Sequence, residues 1–307
     1  MYDVIVIGGG PAAVAGGVYA ARKKLKTLVV AEEFGGQSLV SADVQNWIGT
    51  SHISGYDLGK NLEAHLRAQE GIEVVDADRV IALAKIAGGF LLSTKRGKSF
   101  ETKTVLIASG SRRRRLGIPG EDKLDGKGVA YCSICDAPLF GGKDVAVIGG
   151  GNAGLEAVID LFPYASRVYL LERNVALRGD AVTQAIVLKN PKLQFIPSVA
   201  TLEILGDTFV TGLRYQELPN GAMKELAVGG VFVEIGAIPN GEFVKDIVAL
   251  NKFGEIIVDP RTQQTNVTGI WAAGDVTDVI YKQNNIAAGD AITAVLNLYE
   301  YLSRETK

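Results

Sequence analysis

The 307-residue sequence predicts an α/β protein built from two Rossmann-like, three-layer nucleotide-binding domains, the second inserted into the first. Three observations predict this. The glycine fingerprint Gly8-Gly9-Gly10-Pro11-Ala12-Ala13 follows the apolar run Val4-Ile5-Val6-Ile7. A second fingerprint, Gly149-Gly150-Gly151-Asn152-Ala153-Gly154, follows the apolar run ending at Ile148. Late in the chain, Ile270-Trp271-Ala272-Ala273-Gly274-Asp275 reads as a strand that returns to the first domain.

In the first unit, Gly8 permits the tight turn, Gly10 lets a pyrophosphate approach the backbone, and Ala13 allows close helix packing. Residues 11–24 read as a helix whose N-terminal N–H groups and dipole favour phosphates. Residues 27–31 form the next strand. It ends at Glu32, about 20 residues past the glycines, where a carboxylate accepts from ribose hydroxyls. Residues 104–108 read as a buried strand that stops at Gly110. The second unit repeats the plan with a strand over 144–148, glycines Gly149, Gly151 and Gly154, a helix over 152–162, and a strand over 167–171 ending at Glu172. Residues 231–235 form a strand that stops at Gly236. Residues 256–259 and 270–275 are expected strands of the first domain, and 286–302 the final helix. The glycine- and proline-bearing linkers lie at 110–120 and 236–241. The first domain is therefore expected over 1–116 and 244–307 and the inserted one over 117–243, with hinges near Gly117 and Gly241.

Apolar residues make up 47% and charged residues 21%, with a net charge of −2. That is the composition of a soluble globular protein, and it favours neither nucleic acid nor membrane as a partner. No apolar run approaches the roughly 20 residues of a membrane span. The start, Met1-Tyr2-Asp3, leads straight into a strand, so no signal peptide and a cytoplasmic location are expected.

The only two cysteines stand in Cys132-Ser133-Ile134-Cys135-Asp136. In an intracellular α/β protein this spacing reads as redox-active. A disulfide across it closes a very small loop and gains little chain entropy, so stability is a poor reason for it. Zinc needs four ligands, and the only histidines, His52 and His65, lie in another segment, so no metal is expected. Asp136 next to Cys135 can hold the proton that a dithiol exchanges on opening or closing. Its alternative is a helix cap. Gly274-Asp275 ends a strand, and its acid suits the sugar-alcohol hydroxyls of a flavin chain. At Glu172, a carboxylate pairs with a free 2′-hydroxyl and repels a 2′-phosphate, by about 4 kcal/mol at most at short range. Arg173 and Arg178 either offset that repulsion or are ordinary solvated side chains. The run Arg112-Arg113-Arg114-Arg115 is either a solvated linker or a patch that docks an acidic protein partner.

With both fingerprints, the C-x-x-C-D and the Ala273-Gly274-Asp275 turn in place, the chain resembles the low-molecular-weight thioredoxin reductases along its whole length. Within them it is most similar to the disulfide-reductase part of the alkyl hydroperoxide reductase flavoprotein. Glu33-Phe34-Gly35-Gly36-Gln37, Ile118-Pro119-Gly120-Glu121, residues 128–140 and Tyr281-Lys282-Gln283 carry this similarity. The resemblance implies FAD held by Gly8, Gly10, Glu32, Gly36, Gln37, Asn46, Asp275 and Gln283. It implies that Cys135 lies against the flavin, that Cys132 attacks the partner disulfide and that Asp136 handles the proton. It implies a nicotinamide nucleotide on Gly149, Gly151, Gly154 and Glu172, and a thioredoxin-like or glutaredoxin-like partner acting with a homodimer. NADPH-using members carry a His-Arg-Arg run with a further arginine four residues on. Here the run is Glu172-Arg173-Asn174 with only Arg173 and Arg178 matching, which favours NADH over NADPH. The thioredoxin-like N-terminal domain of the peroxide-reductase flavoprotein has no counterpart, so a separate partner chain is expected. Two other functions stay open: the same disulfide chemistry fed by a donor such as ferredoxin, and a nucleotide-sensing binding protein without turnover.

Overall fold

The structure is a computed structural model and describes residues 1–41 and 44–305. In chain order, the first elements are β1 (Tyr2–Ile7), α1 (Pro11–Arg22), β2 (Thr27–Val30), α2 (Gly55–Arg67), β3 (Ile72–Val75), β4 (Val80–Ile86), β5 (Gly89–Thr94), β6 (Ser99–Ile107) and β7 (Ser111–Arg113). There follow β8 (Val129–Ala130), α3 (Ser133–Asp136), β9 (Asp144–Ile148), α4 (Asn152–Leu161), β10 (Arg167–Leu171), α5 (Ala181–Leu188) and β11 (Leu193–Ile196). The last are β12 (Val199–Gly206), β13 (Val210–Glu217), β14 (Met223–Ala227), β15 (Gly230–Val233), β16 (Ala237–Pro239), β17 (Ile270–Ala272) and α6 (Asn284–Glu305).

The chain divides into two compact units. One gathers Met1–Val40, Val44–Arg112 and the chain from Ile238 onward, and the other holds Arg113–Ala237. The second unit is thus inserted into the first, but the chain crosses earlier than the linker glycines suggest. It crosses at Arg113 rather than 117, and at Ala237 rather than 243. The reason is that both crossings are strands: β7 and β16 pair in a two-stranded sheet. Gly117 and Gly241 lie beyond those strands.

In the first unit the sheet order is β3-β2-β1-β6, and β17 pairs with β6. All four of these pairings are parallel. The hairpin β4-β5 joins antiparallel onto the first half of β6, at Ser99 to Thr102. Alternation along β1 sorts its side chains to two faces. Val4 and Val6 pack with α1, α2 and α6, while Ile5 and Ile7 pack into a second cluster with Val244 and Val248. The strand expected over 256–259 is absent. Ile256 makes only isolated bridges, to Leu250 and Thr277.

In the second unit the parallel sheet runs β11-β10-β9-β15-β8. Val145 and Val147 face α4, through Leu155, Val158 and Leu161. Ala146 and Ile148 face an antiparallel three-stranded sheet, β12-β13-β14, through Ile204, Leu213 and Tyr215. That sheet was not legible as a layer in the sequence. Each unit therefore covers both faces of its parallel sheet, as buried parallel strands require.

Candidate functional site

In the second unit, Cys132 is half-buried and disulfide-bonded. The sequence holds one other cysteine, Cys135, whose side chain lies outside the described residues. Cys132 caps the single turn of α3 with extended backbone, and Asp136 N–H donates to the Cys132 carbonyl at 3.1 Å. Ser133 Oγ fixes this turn to α4 by donating to Asp160 at 2.7 Å. Just before it, the buried Tyr131 hydroxyl donates to Glu121 at 2.9 Å. Glu121 also accepts from the N–H groups of Leu116 and Gly117. Arg115 lies over the Tyr131 ring and pairs with Asp122 and Asp125. The short redox helix is thus anchored on both sides. Burial, helped by the charge of Asp125, pushes the Asp136 carboxyl up to about 6.

The glycine loop of this unit joins β9 to α4. Gly149 sits at φ +116°, and a Cβ there would strike the Glu234 carbonyl. A Cβ on Gly154 would strike the Gly149 carbonyl. Around Gly151 nothing lies within 4 Å of a Cβ, so this part of the loop is open. No side chain caps the α4 N-terminus and no acid stands in its first turn. Glu172 is turned inward. One carboxylate oxygen accepts from Gly150 N–H at 2.5 Å and the other from Asn174 backbone N–H at 2.8 Å. Burial alone would raise this group, but these hydrogen bonds hold it below the usual carboxylate range. Arg178 approaches the carboxylate at 3.9 Å from an exposed position, and Arg173 is exposed. The carboxylate thus lies against the glycine loop, held by Gly150 N–H of that loop and by Asn174 just beyond β10.

In the first unit, Gly8 sits at φ +130° against the Ala108 carbonyl, and Gly10 caps α1 with no side-chain cap and no acid in the first turn. Buried Ala13 lies against the sheet, and a Cβ on Gly36 would press on Gly10 at 3.2 Å. Gln37 Nε2 donates to Ser111 Oγ at 2.8 Å and to Asp275 at 3.1 Å. Its buried Oε1 has no hydrogen-bond partner among the described residues. Asn46 Nδ2 donates to Gln283 Oε1 at 3.3 Å. Glu32 is exposed beyond β2, with Arg79 at 4.0 Å. Burial pushes the Asp290 carboxyl on α6 up.

Residues 2–291 match the family model "Pyridine nucleotide-disulphide oxidoreductase". The chain belongs to the pyridine nucleotide-disulphide oxidoreductase family. It is 44% identical over 306 residues to an alkyl hydroperoxide reductase subunit of Pseudomonas putida, covering 99% of this chain and 58% of that protein. It is 42% identical over 303 residues to the corresponding protein of Staphylococcus aureus, covering 99% of this chain and 59% of that one. The chain thus spans under three fifths of the length of these relatives. Among solved structures it matches thioredoxin reductase from Streptococcus pyogenes with a TM-score of 0.85 and 33% identity, over 99% of both chains.

FAD and NAD(P)H are the cofactors of this family. The structure fits both. Each unit offers a glycine loop at a helix N-terminus with no side-chain cap, which suits a pyrophosphate. The unpartnered Gln37 Oε1 is an acceptor inside the first unit's polar cluster. Gln37 and Asp275, and Asn46 and Gln283, are brought together from 238 and 237 residues apart. Sequence reasoning missed Ser111, which joins the first of these pairs and sits in an unremarkable Ser-Gly-Ser stretch. It also missed Asp290 and Glu234, which carry no local motif. Among the described residues, no group of three or more potential ligands could hold a metal, and no helix is long and apolar enough to cross a membrane.

Proposed function

We propose that the chain is an FAD-dependent disulfide reductase that passes electrons from NAD(P)H through Cys132 and Cys135 to a thioredoxin-like protein. The observation that carries this is the disulfide-bonded Cys132 on a one-turn helix beside Asp136, a carboxyl held near 6. A bound FAD would supply the two-electron link between a nicotinamide and a disulfide. Gly8, Gly10, Glu32, Gly36, Gln37, Asn46, Asp275 and Gln283 would hold the flavin nucleotide. Gly149, Gly151 and Gly154 shape the nicotinamide nucleotide's phosphate loop, Glu172 braces it, and Arg173 and Arg178 flank it. Cys132 attacks the partner's disulfide. Asp136 keeps a proton within reach of the pair, because its raised pKa leaves part of the population protonated near neutral pH.

The partner is a thioredoxin-like or glutaredoxin-like protein, and the working form is a cytoplasmic homodimer. NADH is the favoured donor, because a buried negative charge lies beneath the loop that binds the adenosine end. Anaerobic titration of the flavin-loaded protein with NADH and NADPH in parallel tests the assignment. Bleaching of the flavin followed by alkylation of both cysteines supports it. A flavin that neither nucleotide bleaches, but reduced ferredoxin does, replaces the donor.

A further inference from the structure

The start of α6 grips two distant stretches of the first unit. Gln283 directly precedes the helix, and its carbonyl accepts from Ala287 N–H at 2.8 Å. The first two helical residues are asparagines, which are poor helix formers. Their amides serve the loops instead. Asn284 Nδ2 donates to Ser38 Oγ at 2.8 Å. Ser38 is buried and directly follows Gln37 in the 3₁₀ turn Gly36–Val40. Asn285 spends both amide atoms on one loop. Its Nδ2 donates to the Asn46 carbonyl at 2.7 Å, and its Oδ1 accepts from Ile48 N–H at 3.3 Å. With the Asn46–Gln283 pair, these bonds join three successive residues to segments 237 to 246 positions earlier. All of them lie in the first unit.

The two gripped segments carry Gln37 and Asn46. Gln37 commits its Nε2 to Ser111 and Asp275, so the turn fixed at Ser38 decides where its unpartnered Oε1 points. The second segment is a loop closed at its base by backbone bonds between Val44 and Ile53. Trp47 packs on the core beneath it. Asn285 takes hold of the backbone on either side of Trp47.

We propose that Asn284 and Asn285 are positioning residues for the flavin nucleotide, acting through Gln37 and Asn46 by holding their segments in place before the cofactor binds. The assignment deepens the flavin site proposed above and rests on it. A segment already ordered loses less conformational freedom on binding, and the saving appears as affinity. Among variants of one site, such differences lie mostly in the dissociation rate. The competing explanation is helix stability. Asn285 stands in a first turn that holds no acid, where an acid would complement the helix dipole. Asn285→Asp keeps the size, favours the helix and keeps an acceptor for Ile48 N–H, but sets a carboxylate against the Asn46 carbonyl. A helix role and a grip on the loop therefore predict opposite results for this one variant.

The test follows FAD release from the flavin-loaded parent, Asn284→Ala, Asn285→Ala and Asn285→Asp, by the flavin's fluorescence after dilution at pH 8. Hydrogen exchange of residues 44–50, with FAD in excess, reads the loop without turnover. Asn285→Ala and Asn285→Asp should each release FAD about tenfold faster, which is about 1.4 kcal/mol. Asn284→Ala, which gives up one bond, should release it about threefold faster. The Ile48 amide should exchange faster in both Asn285 variants, while Asn285→Asp keeps the helix content of the parent. Parent-rate release from Asn285→Asp overturns the assignment and leaves the flavin site standing. A parent that takes up no FAD overturns the flavin site, and this assignment falls with it.

Discussion

Cys132 and Asp136 do different jobs, and single substitutions should separate them. Cys132→Ser removes the attacking thiol but leaves the nucleotide loops untouched. Flavin bleaching by NADH should survive while reduction of a thioredoxin-like partner falls to background. Parent-rate transfer in this variant would refute the relay. Glu234 makes a second prediction, about stability. Its carboxyl is pushed from 4.5 to about 7 by burial, opposed by Arg113 and reinforced by its acidic neighbours. A raised carboxyl supports the fold fully below its unfolded value near 4, and that support is lost as pH rises through 7. Each tenfold change in proton affinity is worth about 1.4 kcal/mol, so keeping the charged form buried costs about 3 kcal/mol above pH 8. Glu234→Gln should therefore raise the melting temperature at pH 8 and leave it little changed at pH 4. Thermal denaturation at the two pH values measures it.

At the scale of elements, the two strand–loop–helix turns were legible because their signal is local. A short apolar run, glycines that must take positive φ, and a helix start fall within a dozen residues. The direction of Glu172 was not legible. Sequence places an acid at the strand end but does not say whether ribose or the loop's own N–H groups will claim it. Here Gly150 and Asn174 claim it. Removing the side chain should therefore cost structure as well as selectivity. Glu172→Ala leaves the Gly150 N–H without its partner, at about 1–3 kcal/mol. Glu172→Gln keeps the shape, removes the charge, and should raise the ratio of NADPH to NADH use. Each 1.4 kcal/mol of relieved repulsion is worth about tenfold. Steady-state kinetics with both donors reads this, and an unchanged ratio would show that the buried charge is not felt. Ser111 and Gln37 were illegible as a pair for another reason: 74 residues separate them, and only the folded sheet unites them.

For the whole molecule, the nested order of domains could be read because the second fingerprint repeats the first. The exact crossings could not, since β7 and β16 are short strands hidden among glycines and arginines. The second unit's antiparallel layer escaped as well, because polar residues such as Glu203, Arg214 and Glu225 interrupt its strands. Each unit has its own buried clusters. Calorimetry of the flavin-loaded protein should therefore show two transitions. Stripping the FAD should lower only the first unit's transition, by the loss of binding free energy to the native form. A single transition that shifts as one would mean the two cores melt together.

Because β7 and β16 are neighbours in one small sheet, the two ends of residues 113–237 leave that unit side by side, about one strand spacing of 5 Å apart. A segment with adjacent ends is a cassette. It can be cut out, closed with a short glycine–serine bridge and expressed alone, or exchanged for the matching segment of a relative, without stretching the chain that remains. Donor preference and partner choice would then travel with the cassette, while the flavin stays with the host.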